Sequence, residues 1–178
     1  PVDRCAARDN RCPPPDGKAQ QSGLPFTPPD PKKAPAAGKL KLYTDGASRG
    51  NPGEAGAGIL LLDERGRELV ARGIYLGQCT NNMAEYQALL YGLREALAYA
   101  PSELAIYLDS QLVVRQLLGE YRVKDQKLKP FYAEAVALLK RCRLYRVAHV
   151  PREENRRADQ LANEAIDRKS SREGCGCC

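Results

Sequence analysis

Four acidic residues stand in segments that deliver carboxylates to the ends of elements: Asp45 in LYTDGASRGNPG, Glu85 in TNNMAEYQALL, Asp109 in IYLDSQLV and Asp159 in HVPREENRRADQLANEA. Each alone has an ordinary explanation. An aspartate after a strand forms turns, and an acid in the first turn of a helix complements the helix dipole. Converging in one cleft, four carboxylates repel one another unless cations neutralise them. Hard oxygen donors suit Mg²⁺ or Mn²⁺, which keep some of their waters and bridge to phosphate oxygens. Two such ions can activate an attacking water and stabilise the leaving oxygen of a phosphodiester. Phosphodiester hydrolysis is the chemistry this set of residues would perform.

The elements that must position these acids alternate in type. Lys39 to Thr44 reads as a strand ending at Asp45, with a Gly/Pro/Asn-rich turn directly after it. Gly56 to Asp63 reads as a buried strand and Glu68 to Leu76 as a third, joined by the polar turn Glu64 to Arg67 into a hairpin. Met83, Tyr86, Leu90, Leu93 and Leu97 fall on one stripe, predicting a helix over Asn82 to Tyr99, with Pro101 just beyond its end. Leu104 to Leu108 is a short buried strand leading to Asp109; Ser110 caps a helix to Leu118, and Pro130 to Arg141 forms another. A last strand, Leu144 to Val150, leads into a helix over Arg156 to Asp167 with Asn155 as its N-cap. The order βββαβααβα predicts an α/β fold, a mixed five-stranded sheet of three antiparallel strands plus parallel strands, flanked by helices. If the first and fourth strands are parallel neighbours, Asp45 and Asp109 share the sheet edge at which open sheets bind ligands. Glu85 and Asp159 each fall in the first turn of a helix, and Glu85 lies off its apolar stripe.

The 178 residues, 43% of them hydrophobic, suffice for one domain with a real core. A net charge of +6 is compatible with a polyanionic partner without demanding one. No stretch approaches the roughly 18 apolar residues of a membrane helix and no basic region precedes an apolar signal core, so a soluble cytoplasmic protein is the expectation; action as a monomer is a separate expectation. Residues 1–38 hold nine of the thirteen prolines and read as an extended or disordered arm. The folded domain is expected over residues 39–168, followed by a Cys-rich tail over 169–178. Of the seven cysteines, Cys5, Cys12, Cys175, Cys177 and Cys178 lie in the two tails. The odd total argues against a secreted disulfide framework. Reduced thiols are favoured over zinc ligands, because the spacing fits no standard zinc site.

The four motifs YTDGASRGNPG, TNNMAEYQAL, LDSQLVV and NRRADQLAN resemble those of the type 1 ribonuclease H family, in that family's order and close to its spacing. The resemblance covers about residues 39–168. It implies the ribonuclease H-like fold and endonucleolytic cleavage of the RNA strand of RNA/DNA hybrids, leaving 5′-phosphate and 3′-hydroxyl ends. It also implies that Asp45, Glu85, Asp109 and Asp159 hold two Mg²⁺ or Mn²⁺ ions. Asn51, Asn81, Asn82 and Gln111 match family positions that contact the hybrid, where side-chain amides can meet 2′-hydroxyls or base edges. Helix capping is the other role open to Asn81 and Asn82.

Two departures stand out. Many family members carry a histidine in a flexible loop before the last aspartate, whereas the sole histidine here, His149, falls in the last strand, and PREEN is too short for that loop. Arg152, or Arg156 or Arg157, could supply positive charge near the scissile phosphate, but only electrostatically, since arginine does not exchange protons at neutral pH. The segment between Leu118 and Phe131 offers Arg122, Lys124, Lys127 and Lys129 in place of the basic helix of larger members. These cations could track phosphates or form a solvated loop. In both respects the chain is similar to the compact branch of the family, for which duplex RNA is a further expected substrate. The competing class is a non-catalytic nucleic-acid-binding module on the same fold.

Overall fold

In a computed structural model, which describes residues 38–173, strand β1 is set by alternation. Leu40, Leu42 and Thr44 are buried on one side, so Lys39, Lys41, Tyr43 and Asp45 belong to the other. β1 (Lys39–Gly50) pairs antiparallel with β2 (Gly53–Leu62), which pairs antiparallel with β3 (Glu68–Cys79). On its other side β1 runs parallel to β4 (Glu103–Leu108), and β4 parallel to β5 (Tyr145–His149), giving the order β3-β2-β1-β4-β5. This is the expected mixed five-stranded sheet.

Helix α1 (Asn81–Ala98) covers β1 and β2, α3 (Lys129–Leu139) packs on α1, and α2 (Gln111–Leu117) touches β4 and β5. A 3-10 turn (Arg152–Glu154) leads to α4 (Arg156–Glu173), which lies across β1, β2 and β3. The α1 side carries the large core: Leu42, Ile59, Leu61, Tyr86, Leu89, Leu93, Leu104 and Ile106 are fully buried. At about 1.5–3 kcal/mol for each buried large side chain, most of the hydrophobic stabilisation resides there. Under α4 the contact is close and small instead. A Cβ on Gly58 would stand 1.8 Å from the Ala158 carbonyl oxygen.

Three boundaries differ from expectation. β1 does not end at Asp45 but continues to Gly50, because pairing with β2 carries on from Asp45↔Gly58 to Gly50↔Gly53 after pairing with β4 has stopped at Thr44↔Leu108. The turn is therefore Asn51–Pro52, and β3 extends to Cys79 opposite Gly53. α4 runs past Asp167 and the expected boundary at 168, to Glu173, with Lys169 donating to the Tyr75 hydroxyl at 2.8 Å. No helix among the described residues is long and apolar enough to cross a membrane. The expected N-terminal arm, apart from residue 38, and the cysteines of both tails lie outside the described residues. Cys79 and Cys142 are free thiols.

Candidate active site

The acids come together through close backbone contact as much as through strand order. Asp45 sits where β1 loses its parallel partner, and Asp109 directly follows the end of that partner, so the two carboxylates emerge side by side. Glu85 is the fifth residue of α1, just beyond the first turn in which it was expected. It reaches Asp45 because Gly46 has no side chain: a Cβ there would lie 2.2 Å from the Glu85 amide nitrogen. Asp159 is in the first turn of α4, as expected. Asn155 ties that turn to the sheet, its Nδ2 donating to the Thr44 carbonyl at 3.0 Å. Its backbone carbonyl accepts from Asp159, the first bond of the helix, but its side-chain oxygen has no partner among the described residues. The expected side-chain cap is thus replaced by a tether to β1.

One ligand oxygen each from Asp45, Glu85 and Asp109 lies within 4.8 Å of the other two. Burial first, then the charges of Asp109 and Asp159, push the Asp45 carboxyl from 3.8 up to about 8, and hydrogen bonds join it to both neighbours. Burial, then Asp45 and Asp109, hold Glu85 well above the usual carboxylate range, against the opposing pull of the Gly46 N–H it accepts from and of Arg152. Glu85 Oε2 and Asp109 Oδ1 are buried without a hydrogen-bond partner. Buried carboxylate oxygens without donors, beside the raised carboxyls of Asp45 and Glu85, form a site short of positive charge. The donor set, all carboxylate, fits a hard divalent cation. Asp159 stands outside this trio and links it to Arg152, whose Nη2 donates to Asp159 Oδ1 at 2.7 Å. That bond makes the exposed guanidinium hold its proton still more firmly.

The acids floor an open cavity of about 460 Å³ that also includes Ser48, Asn81, Ser110, Arg152 and Asn163. Asn51, in the β1–β2 turn, accepts from the Asn81 amide through Oδ1 at 3.4 Å, and Asn82 follows at the exposed start of α1. Thr80, not either asparagine, provides the side-chain cap of α1. The asparagines are thereby left facing outward on one flank of the acids. Gln111, exposed at the start of α2 after the capping residue Ser110, stands on the other flank and does not line the cavity. His149 is the last residue of β5, as the strand pattern predicts, with Nε2 3.2 Å from the Asp109 carbonyl oxygen. The segment from Gly119 to Leu128 contains no helix. Like Ser48, Asn163 lines the cavity without being singled out by the sequence. Its position four residues after Asp159, on the same helical face, is the signal that identifies it, and its Nδ2 donates to the Asp159 carbonyl.

A mixed sheet in this order, with carboxylates converging at the end of the β1–β4 pair, defines the ribonuclease H-like class. A family model described as reverse transcriptase-like matches residues 43–165. A ribonuclease HI of Halobacterium salinarum is 42% identical over 130 residues, 73% of this chain and 65% of that protein. A ribonuclease H of Erythrobacter litoralis is 31% identical, over 74% of this chain and 99% of that protein. Among solved structures, the Halobacterium salinarum RNase H1 superposes with a TM-score of 0.70 at 41% identity, covering 72% of this chain and 98% of that one. LC11-RNase H1, from compost, solved in complex with an RNA/DNA hybrid, matches with a TM-score of 0.70 at 41% identity, covering 73% and 98%. The chain belongs to the type 1 ribonuclease H family. It spans about two thirds of the Halobacterium relative and 36% of a matching bifunctional protein of Mycobacterium tuberculosis.

Proposed function

We propose that this protein is an endonuclease that hydrolyses the RNA strand of RNA/DNA hybrids. The observation that carries this reading is the meeting of Asp45, Glu85 and Asp109 within 4.8 Å, two of their oxygens buried without partners, in a chain of this family. The hybrid complex of LC11-RNase H1 supports the choice of substrate.

Asp45, Glu85, Asp109 and Asp159 would hold two Mg²⁺ or Mn²⁺ ions, Asp45 being central because it contacts both Asp109 and Asp159. When bound, such ions supply Lewis-acid activation of water and neutralise charge on the leaving oxygen. Water adds to phosphorus and gives up a proton to solvent, the bond from phosphorus to the 3′ oxygen breaks, and that oxygen takes a proton from solvent, so the products carry a 5′-phosphate and a 3′-hydroxyl. Arg152 orients Asp159 and adds positive charge at the mouth of the cavity. Asn51, Asn81 and Asn82 on one flank and Gln111 on the other take the substrate, since amides can both donate to and accept from ribose hydroxyls. All of the acids come from one chain, which supports action as a monomer.

Cleavage of a labelled hybrid, of duplex RNA and of duplex DNA, each with and without Mg²⁺, tests this reading. Metal-dependent cutting of the RNA strand of the hybrid, with duplex DNA left intact, is the expected result. Cutting of duplex RNA as well would identify the broader compact-type activity. Binding of the hybrid without cleavage under any metal would identify the non-catalytic module.

A further inference from the structure

α4 covers β2, β3 and the upper part of β1, but among the described residues it makes no extensive contact with β4 or β5, so the same sheet face is open there over the lower parts of β1, β4 and β5. Strand alternation assigns to this bare strip the residues directly below the acids. Under Asp45 and Asp109 come Tyr43 and Tyr107, paired in register and stacked with ring centroids 4.7 Å apart. Next comes Lys41, opposite Ala105, and beyond it Arg146 of β5, whose Nη2 donates to the Tyr107 hydroxyl at 3.2 Å. Lys41 and Arg146 line one open cavity of about 230 Å³ with Lys39, Glu64 and Glu103. Glu103 pairs with the Lys39 ammonium at 3.1 Å and Glu64 accepts from the Lys39 backbone amide at 3.0 Å, so three cations face two carboxylates in this cavity, while Glu154 borders Tyr43 on the α4 side. Among the described residues Lys41 has no ion-pair partner, and Arg146 has only the neutral tyrosine.

We propose that this strip is a second nucleic-acid-binding surface, which takes the sugar-phosphate backbone of a single strand extending from the hybrid held at the acids. Unpaired cations match a polyanion, and the strip is continuous with the acid cavity, since Lys41 is four residues down the strand from Asp45, about 13 Å at the rise of a β-strand. Three strands spaced about 4.8 Å apart give a track on the order of 10–14 Å wide, walled on one side by α4. That width suits one strand rather than a duplex. The tyrosines stack on each other, so they offer hydroxyls to phosphate and ribose rather than free faces to bases, and binding is independent of sequence. The inference rests on the nuclease reading only for the position of the hybrid.

The test is fluorescence anisotropy of a labelled single-stranded RNA of about ten nucleotides, in the range of single-strand site sizes, without divalent ions, on the full chain and on a Lys41→Ala/Arg146→Ala double variant. A severalfold loss of affinity is expected in the variant, with the slope of log K against log salt reduced by about 1.4, two contacts at about 0.7 each. Cleavage kinetics supply the second readout. A single-stranded RNA extension should lower KM for the full chain but not for the variant, while both cut a blunt hybrid equally. Equal affinity of the two proteins for the single strand, or a loss confined to a poly-glutamate peptide, would overturn the proposal. If neither protein cuts the blunt hybrid, the nuclease reading fails while anisotropy still decides the strip. A Lys41→Gln/Arg146→Gln variant replaces the first should its melting temperature fall.

Discussion

At the scale of the residue, burial and the neighbouring carboxylates act strongly on Asp45. Its carboxyl holds a proton up to about pH 8 in the folded chain against 3.8 ordinarily. The folded protein therefore binds more protons than the unfolded one between those values, and the stability from this group, full below about pH 4, is lost as pH rises through about 8. Melting of the metal-free protein should show this decline, and Asp45→Asn should flatten it. Mg²⁺ should raise the melting temperature more at the upper end of that window, with proton release on binding measurable by calorimetry in buffers of different ionisation enthalpy. Arg152 has a different signature. Its guanidinium cannot exchange protons near neutrality and is largely exposed, so Arg152→Ala should lower kcat by about tenfold, less than the hundredfold or more an enclosed donor commands, and, by removing a cation that favours ionised Glu85, move the acidic limb of the pH profile upward without abolishing it.

At the scale of the element, the site depends on two helices that approach the sheet more closely than side chains usually allow. Gly46→Ala would drive a Cβ into the backbone of Ala84 and Glu85, so α1 must retreat and carry Glu85 from the trio. We expect at least about 1–3 kcal/mol of destabilisation in urea unfolding and a matching loss of Mg²⁺ affinity. Gly66→Ala is the control: its left-handed φ of 79° costs about 1–2 kcal/mol, but open space surrounds it, and activity should persist. Asn155→Ala removes the donor to the buried Thr44 carbonyl and should cost about 1–3 kcal/mol while weakening metal binding through Asp159. This tether is not legible in the sequence. Its partners are 111 residues apart, and an asparagine before a helix reads as a cap whatever its side chain does. The extension of β1 past Asp45 is hidden for a related reason. GASRG has the composition of a turn, and only the facing strand β2 makes it part of a hairpin arm.

At the scale of the whole molecule, far more was legible. The strand and helix periods predict the order of elements, and the four acid-bearing motifs carry the resemblance to the family on their own. The structure adds the reason those motifs converge: a parallel β1–β4 pair brings Asp45 and Asp109 to one edge, and glycines let α1 and α4 bring Glu85 and Asp159 to them. The central claim is that this convergence is a hydrolytic centre and not merely an acidic cleft that binds nucleic acid. Asp109 tests it most directly, because it adjoins Asp45 while having no side-chain role in the core. In a parallel assay of cleavage and binding with Asp109→Asn, the cleavage rate of an RNA/DNA hybrid should fall by more than about a hundredfold, since even outer partners of metal ligands are worth 10–100-fold. Hybrid affinity should stay within a few-fold of the unaltered protein. Cleavage by Asp109→Asn at a rate near that of the unaltered protein would contradict the account.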